Sequence, residues 1–321
     1  MRSAILLLAM LRLRACDVPA APDGSAPDAS TPADVATNDA APVPAACRAD
    51  APVPASARRS VRANGLTRSY LLHVPSGYDR AATPVVFAFH GWNANAADLQ
   101  SRTHLDATAD RGRFLVVYPQ GVDDSFNAGG TCCGGALRRD LDEAAFVRAI
   151  LDDLGDELCL DRRRVYATGI SNGGFLSYRF ACEHADLFAA VAPVAAIVSV
   201  PTCTPSRPVP VLHFHGTADI LVPVAGRPSW SPPVPSLDET IQGWRQRNGC
   251  TGASRVTYRN GDVTCEAWTS CREGAEVERC LVDGGGHTWP GGEPVPLLGR
   301  TTRDIDAREH LWRFFARHAL P

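Results

Sequence analysis

The chain lacks a strong excess of either charge. Its 321 residues carry 32 Lys and Arg against 35 Asp and Glu, which gives a formal net charge of −3. Because nucleic-acid-binding domains are usually strongly basic, this balance argues against a nucleic-acid partner and against an acidic lipid surface. Beyond residue 16 the chain also lacks an apolar run long enough to cross a bilayer.

The chain also lacks the ligand patterns of a metal site. Its cysteines form no paired C-x-x-C motifs, and no cluster of histidines accompanies them. A metal site is therefore not expected. The sequence shows no internal repeat and no second folded domain.

Residues 1–16 have the pattern of an export signal, in which Arg2 precedes a short apolar run. The segment ends in Leu-Arg-Ala-Cys, which resembles a lipoprotein box with Cys16 as a lipid anchor. Arg14 departs from that box, and ordinary signal cleavage or a misassigned start site would leave the same pattern. We expect an extracellular or cell-envelope protein that acts as a monomer.

Residues 17–57 consist almost entirely of Ala, Pro, Asp, Ser, Thr and Val. Such a segment has too few large apolar side chains to offset the entropy of ordering, so it is predicted to be a flexible linker. The remaining residues, 58–321, suffice for one domain with a sizeable core.

Eleven cysteines are many for a protein of a reducing compartment. Without Cys16 an even ten remain, which allows up to five disulfides. The bridges that the spacing suggests are Cys182–Cys203, Cys250–Cys271, and one from Cys132 or Cys133 to Cys159. Sequence alone leaves the connectivity open.

Strand-like and helix-like patterns alternate from about residue 68 onward. The strand-like segments are residues 68–74, 85–89, 114–118, 164–168, 188–194, 209–214 and 277–282; the helix-like ones are 141–154, the segment after 171, and 304–318. This alternation predicts an α/β fold with a mostly parallel central sheet and helices on both faces. In such sheets, ligands bind beyond the carboxyl ends of the strands.

The most informative motif is Gly-Ile-Ser-Asn-Gly at residues 169–173, a G-x-S-x-G sequence. A strand-like run leads into it and a helix-like pattern follows. A sharp strand-to-helix turn strains the backbone of its central residue, and flanking glycines remove the side chains that would clash there. The motif therefore predicts the nucleophile elbow of an α/β-hydrolase, with Ser171 as the nucleophile.

The partners of such a serine follow in the chain order Ser, acid, His. Asp219 lies just beyond the strand-like run 209–214, and His287 lies in a glycine-rich loop beyond the run 277–282. His287 would be the general base for Ser171, and Asp219 would orient its imidazole. Asp283 and Asp304 are rival acids, although Asp283 is too close in sequence to His287 to orient it easily.

The negative charge that develops on the substrate oxygen needs preorganised donors. One is expected to be the backbone N–H of Asn172, directly after the nucleophile. The other is expected from the loop after the strand-like run 85–89, where we assign it to Trp92. In the same regions, His90 is expected to brace this loop, His213 to pack in the core and His215 to support a loop.

Together these blocks resemble the secreted esterases that include poly(3-hydroxybutyrate) depolymerase-like enzymes, feruloyl esterases and acetylxylan esterases. The resemblance covers residues 47–318 and rests on GLTRSYLLHVP (65–75), FHGW (89–92), YPQG (118–121), FNAG (126–129) with Cys132 and Cys133, RVYATGISNGG (164–174), HGTAD (215–219) and GHTWPGG (286–292). It implies a serine esterase with the triad Ser171, Asp219 and His287, and no cofactor.

The substrate is less well determined than the reaction. Trp92, Phe126 and Trp289 are candidates for the wall of a pocket that accepts aromatic groups. With no polymer-binding module attached, we expect feruloyl or acetylxylan esters of plant cell walls. A hydroxybutyrate polyester or its oligomers are the alternative substrates. A non-catalytic cell-surface binding protein on the same fold is the alternative of another class, and the presence of Ser, Asp and His argues against it.

Overall fold

The computed structural model describes residues 45–48, 50, 53–130, 132–227, 229 and 233–321. The strands are β1 Ala57–Ala63, β2 Leu66–His73, β3 Thr83–Phe89, β4 Leu115–Pro119, β5 Leu160–Ile170, β6 Ala190–Val194, β7 Val211–Gly216, β8 Arg255–Asn260, β9 Val263–Trp268 and β10 Val277–Val282. The α-helices are α1 Ala96–Thr103, α2 Leu105–Gly112, α3 Gly135–Arg138, α4 Glu143–Gly155, α5 Asn172–Glu183, α6 Leu237–Arg247 and α7 Ala307–Phe315. Short 3₁₀ turns lie at Ala45–Cys47 and Arg272–Gly274.

Within the described residues, the strands form one ten-stranded sheet in the order β1-β2-β4-β3-β5-β6-β7-β10-β9-β8. The six central strands, from β4 to β10, run parallel. The two outer strands on each side pair antiparallel. This is the α/β-hydrolase architecture that the alternating pattern predicts, and the prediction of a mostly parallel central sheet is confirmed.

Helices cover both faces of the sheet, so every residue of central strand β3 is buried. Phe87 faces one core together with Phe146 of α4 and Phe180 of α5. Val86, the next residue along, faces the other core together with Phe314 of α7. Burial on both faces explains why β3 reads as a continuous apolar run in the sequence.

Five disulfides join ten cysteines of the described residues: Cys47–Cys159, Cys132–Cys133, Cys182–Cys203, Cys250–Cys271 and Cys265–Cys280. The two pairs suggested by a spacing of 21 residues are present. The suggested bridge from Cys132 or Cys133 to Cys159 is wrong, because those two neighbours are bonded to each other. Cys159 directly precedes β5, whereas Cys132 Sγ lies 3.6 Å from Nδ2 of Asn172, just beyond the other end of that strand. The strand itself spans about 36 Å at the rise of extended backbone.

The folded unit begins earlier than composition indicates. Cys47 is bonded to Cys159, and strand β1 starts at Ala57. Cys47 and Ala57 therefore belong to the folded domain, although the composition around them resembles that of the linker before them. The proposed signal segment 1–16, with Cys16, lies outside the described residues.

The Cys47–Cys159 bridge is expected to stabilise the protein more than Cys250–Cys271 does. It closes a loop with a sequence separation of 112 residues rather than 21, so it restricts the unfolded chain more strongly. Loops of these sizes correspond to about 5 and 3 kcal/mol. Urea unfolding of Cys47→Ala/Cys159→Ala and Cys250→Ala/Cys271→Ala should show the larger loss for the first pair. Equal or reversed losses would contradict this account.

Candidate active site

Ser171 lies at the turn between strand β5 and helix α5. Its backbone has φ +56° and ψ −121°, a conformation that residues with a side chain rarely adopt. A Cβ on Gly173 would lie 2.0 Å from the carbonyl oxygen of Phe89, and a Cβ on Gly169 would lie 2.6 Å from the same oxygen. Both glycines are therefore required where the turn packs against β3, which is the strained geometry of a nucleophile elbow.

Asp219 and His287 lie on the turns that follow the neighbouring strands β7 and β10. Although they are 68 residues apart, His287 Nδ1 lies 2.7 Å from Asp219 Oδ2, and both side chains are buried. The other carboxylate oxygen accepts hydrogen bonds from the backbone N–H groups of Leu221, at 2.9 Å, and Val222, at 2.8 Å. The carboxylate is thus held at both oxygens.

Asp219 is an ionised carboxylate in a buried position. Burial raises its pKa, but hydrogen bonds from His215, His287 and the Val222 N–H outweigh that effect and hold the pKa well below its usual range. An ionised Asp219 can only accept, so Nδ1 of His287 carries the proton. The tautomer leaves His287 Nε2 as the basic nitrogen.

Ser171 and His287 line the same cavity, whose volume is about 560 Å³. Its walls carry the side chains of Trp92, Phe175, Leu221, Val222, Val234, Trp289, Val295 and Leu298, together with Cys132 and Cys133. Asp98, Arg102, Arg227 and Glu293 are the charged residues of its lining. The cavity therefore presents a mostly apolar surface beside a serine and a histidine.

Two backbone N–H groups are candidates for the oxyanion hole, those of Trp92 and Asn172. Within the described residues, neither donates a hydrogen bond to another backbone oxygen. Asn172 also begins helix α5, whose N-terminus favours negative charge. The Gly91 backbone passes close to the nucleophile, since a Cβ built there would lie 3.4 Å from Ser171 Cβ.

Side chains beneath these donors fix the loops that carry them. Asn172 Oδ1 accepts from the Phe126 N–H at 2.7 Å, and its Nδ2 donates to the Phe126 carbonyl at 3.1 Å. His90 joins two loops, because its Nε2 accepts from the Gly121 N–H at 3.0 Å while Nδ1 bonds to the Gly91 carbonyl at 2.7 Å. Burial lowers the pKa of His90, so it braces this region as a neutral side chain.

The structure separates the three aromatic residues that sequence assigned to the pocket. Trp92 and Trp289 line the cavity. Phe126 does not: it is fully buried, with its ring 5.3 Å from that of Phe89 and 4.6 Å from that of His90. The assignment of Phe126 to substrate contact is wrong, because its side chain is fully buried within a hydrophobic core.

The rival acids have other partners. Asp283 accepts a hydrogen bond from Thr217 Oγ1 at 3.1 Å, and Asp304 accepts one from the Asp262 N–H at 3.1 Å. Sequence reasoning missed the Cys132–Cys133 wall and the contribution of Leu221 and Val222. Only the proximity of the last two to Asp219 could have indicated them.

A group of potential metal ligands lies away from this cavity and comprises Cys265, Glu278, Cys280 and His310. Its two sulfur atoms are bonded to each other, so they offer no thiolate. Glu278 is already engaged by His310, at 3.0 Å, and by Thr257, at 2.6 Å.

None of the helices in the described residues has the length and apolar character needed to span a bilayer.

Comparison with known proteins gives a consistent result. The family model described as "Esterase PHB depolymerase" matches residues 68–206. Putative esterase NocK of Nocardia uniformis subsp. tsuyamanensis is 33% identical, with 96% of each chain covered. Feruloyl esterase B of Piromyces equi is 30% identical over 68% of this chain, which spans only 42% of that protein. An acetyl xylan esterase from Aspergillus awamori shares the fold, with a TM-score of 0.53, 16% identity, and coverage of 81% of this chain and 99% of that one.

The depressed pKa of Asp219 predicts a pH-dependent loss in Asp219→Asn. In the native state this carboxyl ionises below its unfolded value of about 3.9, so its charge stabilises the fold fully above about pH 5. As the pH falls toward the native pKa, that contribution disappears. The difference in unfolding free energy between parent and variant, measured by urea unfolding between about pH 3 and 7, should shrink on acidification. A difference that is constant or grows toward acid would contradict it.

Proposed function

Because the chain belongs to the esterase PHB depolymerase family and is a carboxylic-ester hydrolase, we propose that Ser171, His287 and Asp219 are its catalytic triad. The proposal rests on the 2.7 Å contact between His287 and Asp219 at a cavity that also contains the strained Ser171 turn. Family membership also disfavours the alternative of a non-catalytic binding protein.

In this mechanism Ser171 Oγ attacks the ester carbonyl while His287 Nε2 takes its proton. Asp219 remains ionised and stabilises the imidazolium that forms. The backbone N–H groups of Trp92 and Asn172 bind the developing oxyanion, each contributing about 3 kcal/mol. His287 then protonates the leaving alcohol. A water molecule, activated by the same histidine, attacks the acyl-enzyme and releases the acid, which restores Ser171.

For the substrate we propose an ester of a plant cell-wall polysaccharide, with feruloyl or acetyl as the acyl group. Trp92 and Trp289 give the cavity two flat apolar surfaces, which suit an aromatic acid. The similarity to Feruloyl esterase B supports this class. A cavity of about 560 Å³ is within the size range of small-molecule sites.

A polyester of hydroxybutyrate, or its oligomers, is the second candidate, and the cavity rim favours it. Trp92 and Leu221 line the cavity and are 52% and 51% exposed. Their neighbourhood includes Ile220, 68% exposed, and Leu297, 95% exposed, which adjoins lining residue Leu298. Exposed apolar groups concentrated at a cavity mouth are suited to contact with an apolar polymer.

We also propose that the protein acts outside the cytoplasm, in the extracellular space or cell envelope. Five disulfides within the described residues suit an oxidising compartment. Attachment through a lipid on Cys16, and action as a monomer, belong to the same proposal. Intact-mass analysis and gel filtration of protein purified from its native host test these points.

Ser171→Ala should abolish ester hydrolysis without unfolding the protein. Turnover of p-nitrophenyl acetate should fall by about 10⁴-fold or more, since no other group takes over the nucleophile's role. The melting temperature should change little. Ser177→Ala is the matched control, because it removes the hydroxyl of a nearby serine, a buried residue of helix α5 that donates to the Gly173 carbonyl at 2.8 Å. If Ser171→Ala retained parental turnover, the assigned nucleophile would be wrong.

A turnover comparison should distinguish the two substrate classes. Methyl ferulate, acetylated xylan and a hydroxybutyrate trimer would be compared on the same preparation, with Ser171→Ala as the blank. We expect ferulate or xylan to be preferred. Because Trp289 forms one flat wall, Trp289→Leu should raise the KM for methyl ferulate by about 10-fold while changing that for p-nitrophenyl acetate less. Preference for the trimer would assign the apolar rim, rather than the aromatic walls, to substrate binding.

A further inference from the structure

A chain of buried polar side chains runs from helix α5 to the acid of the proposed triad. The Tyr178 hydroxyl lies 2.8 Å from His213 Nδ1, and His213 Nε2 lies 2.9 Å from His215 Nδ1. His215 Nε2 then lies 2.7 Å from the Val222 carbonyl oxygen and 3.4 Å from Asp219 Oδ2. All three side chains are fully buried, and the esterase mechanism uses none of them directly.

The hydrogen bonds of this chain run in one direction. The Val222 carbonyl and the Asp219 carboxylate can only accept, so His215 Nε2 must carry a proton. A neutral His215 then accepts at Nδ1 from His213 Nε2–H, and His213 accepts at Nδ1 from the Tyr178 hydroxyl. With the opposite direction, the buried Tyr178 proton would have no acceptor among the described residues, a costly arrangement.

The surroundings favour the neutral forms that this direction requires. Burial lowers the pKa of His213 strongly and raises that of Tyr178 strongly. Arg279 pairs with His213 in the register of β10 and β7, and its positive charge further disfavours a protonated His213. The Arg279 guanidinium itself is engaged by Asp238 and Glu266.

The turn that carries Asp219 is held through its carboxylate and also through its backbone. The carboxylate receives the Leu221 and Val222 N–H groups at Oδ1 and His287 at Oδ2. His215 holds the Val222 carbonyl of the same turn and faces Oδ2. Loss of that contact would remove the restraint that His215 places on the Val222 carbonyl and on the Oδ2 side of the carboxylate.

We propose that His215, held in its Nε2–H tautomer by His213 and Tyr178, is a positioning residue that fixes Asp219 for His287. The inference rests on the proposed triad. Ser171→Ala tests the triad itself, whereas the measurements below test the histidine chain in an enzyme whose triad is intact.

The first measurement reads the tautomers directly. In the full chain labelled with ¹⁵N-histidine, multiple-bond ¹H–¹⁵N spectra should show His213 and His215 as neutral Nε2–H tautomers, assigned through single variants. Loss of the His215 contact in His215→Leu should shift the downfield Nδ1–H resonance of His287. A protonated His215, or an Nδ1–H tautomer at either position in the active enzyme, would overturn the proposal.

The second measurement separates positioning from packing. A Gln amide can replace the donor at Nε2, whereas Leu only fills space. On p-nitrophenyl acetate, His215→Leu should lower kcat by about 10- to 100-fold with little change in KM, because a misplaced catalytic group costs about this much. His215→Gln should recover most of the loss. Equal kcat for the Leu and Gln variants would overturn the positioning role.

Two tyrosines provide a matched control. Tyr166 is also fully buried, and its hydroxyl donates to the His318 carbonyl at 2.7 Å, away from the histidine chain. Both Tyr166→Phe and Tyr178→Phe should lower the melting temperature, but only Tyr178→Phe should lower kcat and shift the His215 ring resonances. If both variants changed kcat to the same extent, the effect would be general destabilisation and the proposal would fail.

Discussion

The site depends on the close approach of the chain segments that leave two neighbouring parallel strands, β7 and β10. Gly216, the last residue of β7, pairs with Val282, the last residue of β10. A Cβ on Gly216 would lie 2.2 Å from the carbonyl oxygen of Gly285 in the loop that leads to His287. The absence of a side chain therefore lets that loop cross the end of β7, and it brings His287 to 2.7 Å from Asp219. The close approach of these two backbone segments is therefore what allows the acid and the base to meet.

A buried carboxylate is the second constraint, because ionised groups are costly to remove from water. Asp219 meets this cost with two backbone donors on one oxygen and His287 on the other. The donors that keep it ionised also fix its plane. Orientation and charge, the two properties that the proposed mechanism needs from the acid, therefore have a common structural origin.

The sequence predicts the centre of the fold better than its edges. Central strands such as β3 are buried on both faces and read as apolar runs, and the triad candidates follow from strand ends in a fixed chain order. Edge strands β1 (Ala57–Ala63) and β8 (Arg255–Asn260) bury at most one face, so their polar sequences resemble linkers or loops. Periodicity could not locate them.

The errors at the site have a related cause, since sequence position does not give side-chain direction. Phe126 lies in the loop that leads to the cavity-lining residues Cys132 and Cys133, yet its own ring is fully buried against Phe89. Cys159 is 26 residues from Cys133 along the chain but at the opposite end of β5 from it. In both cases the sequence indicates the approximate position of the residue along the chain. Only the packed structure shows which side chains it contacts.

Under the proposed mechanism, recognition of the acyl group and stabilisation of the oxyanion are coupled at Trp92. Its backbone N–H is the proposed donor, and its side chain forms a cavity wall. A substrate group that packs against the Trp92 ring is therefore bound by the same residue whose N–H would bind the oxygen of the reacting carbonyl. Asn172 makes a similar link, because its N–H is the other proposed donor while its side chain holds the Phe126 backbone in the loop that leads to Cys132 and Cys133. Substitutions that reshape these walls without moving the backbone should therefore change acyl preference while preserving the triad. This is how one catalytic frame can serve esters as different as feruloyl polysaccharides and hydroxybutyrate oligomers.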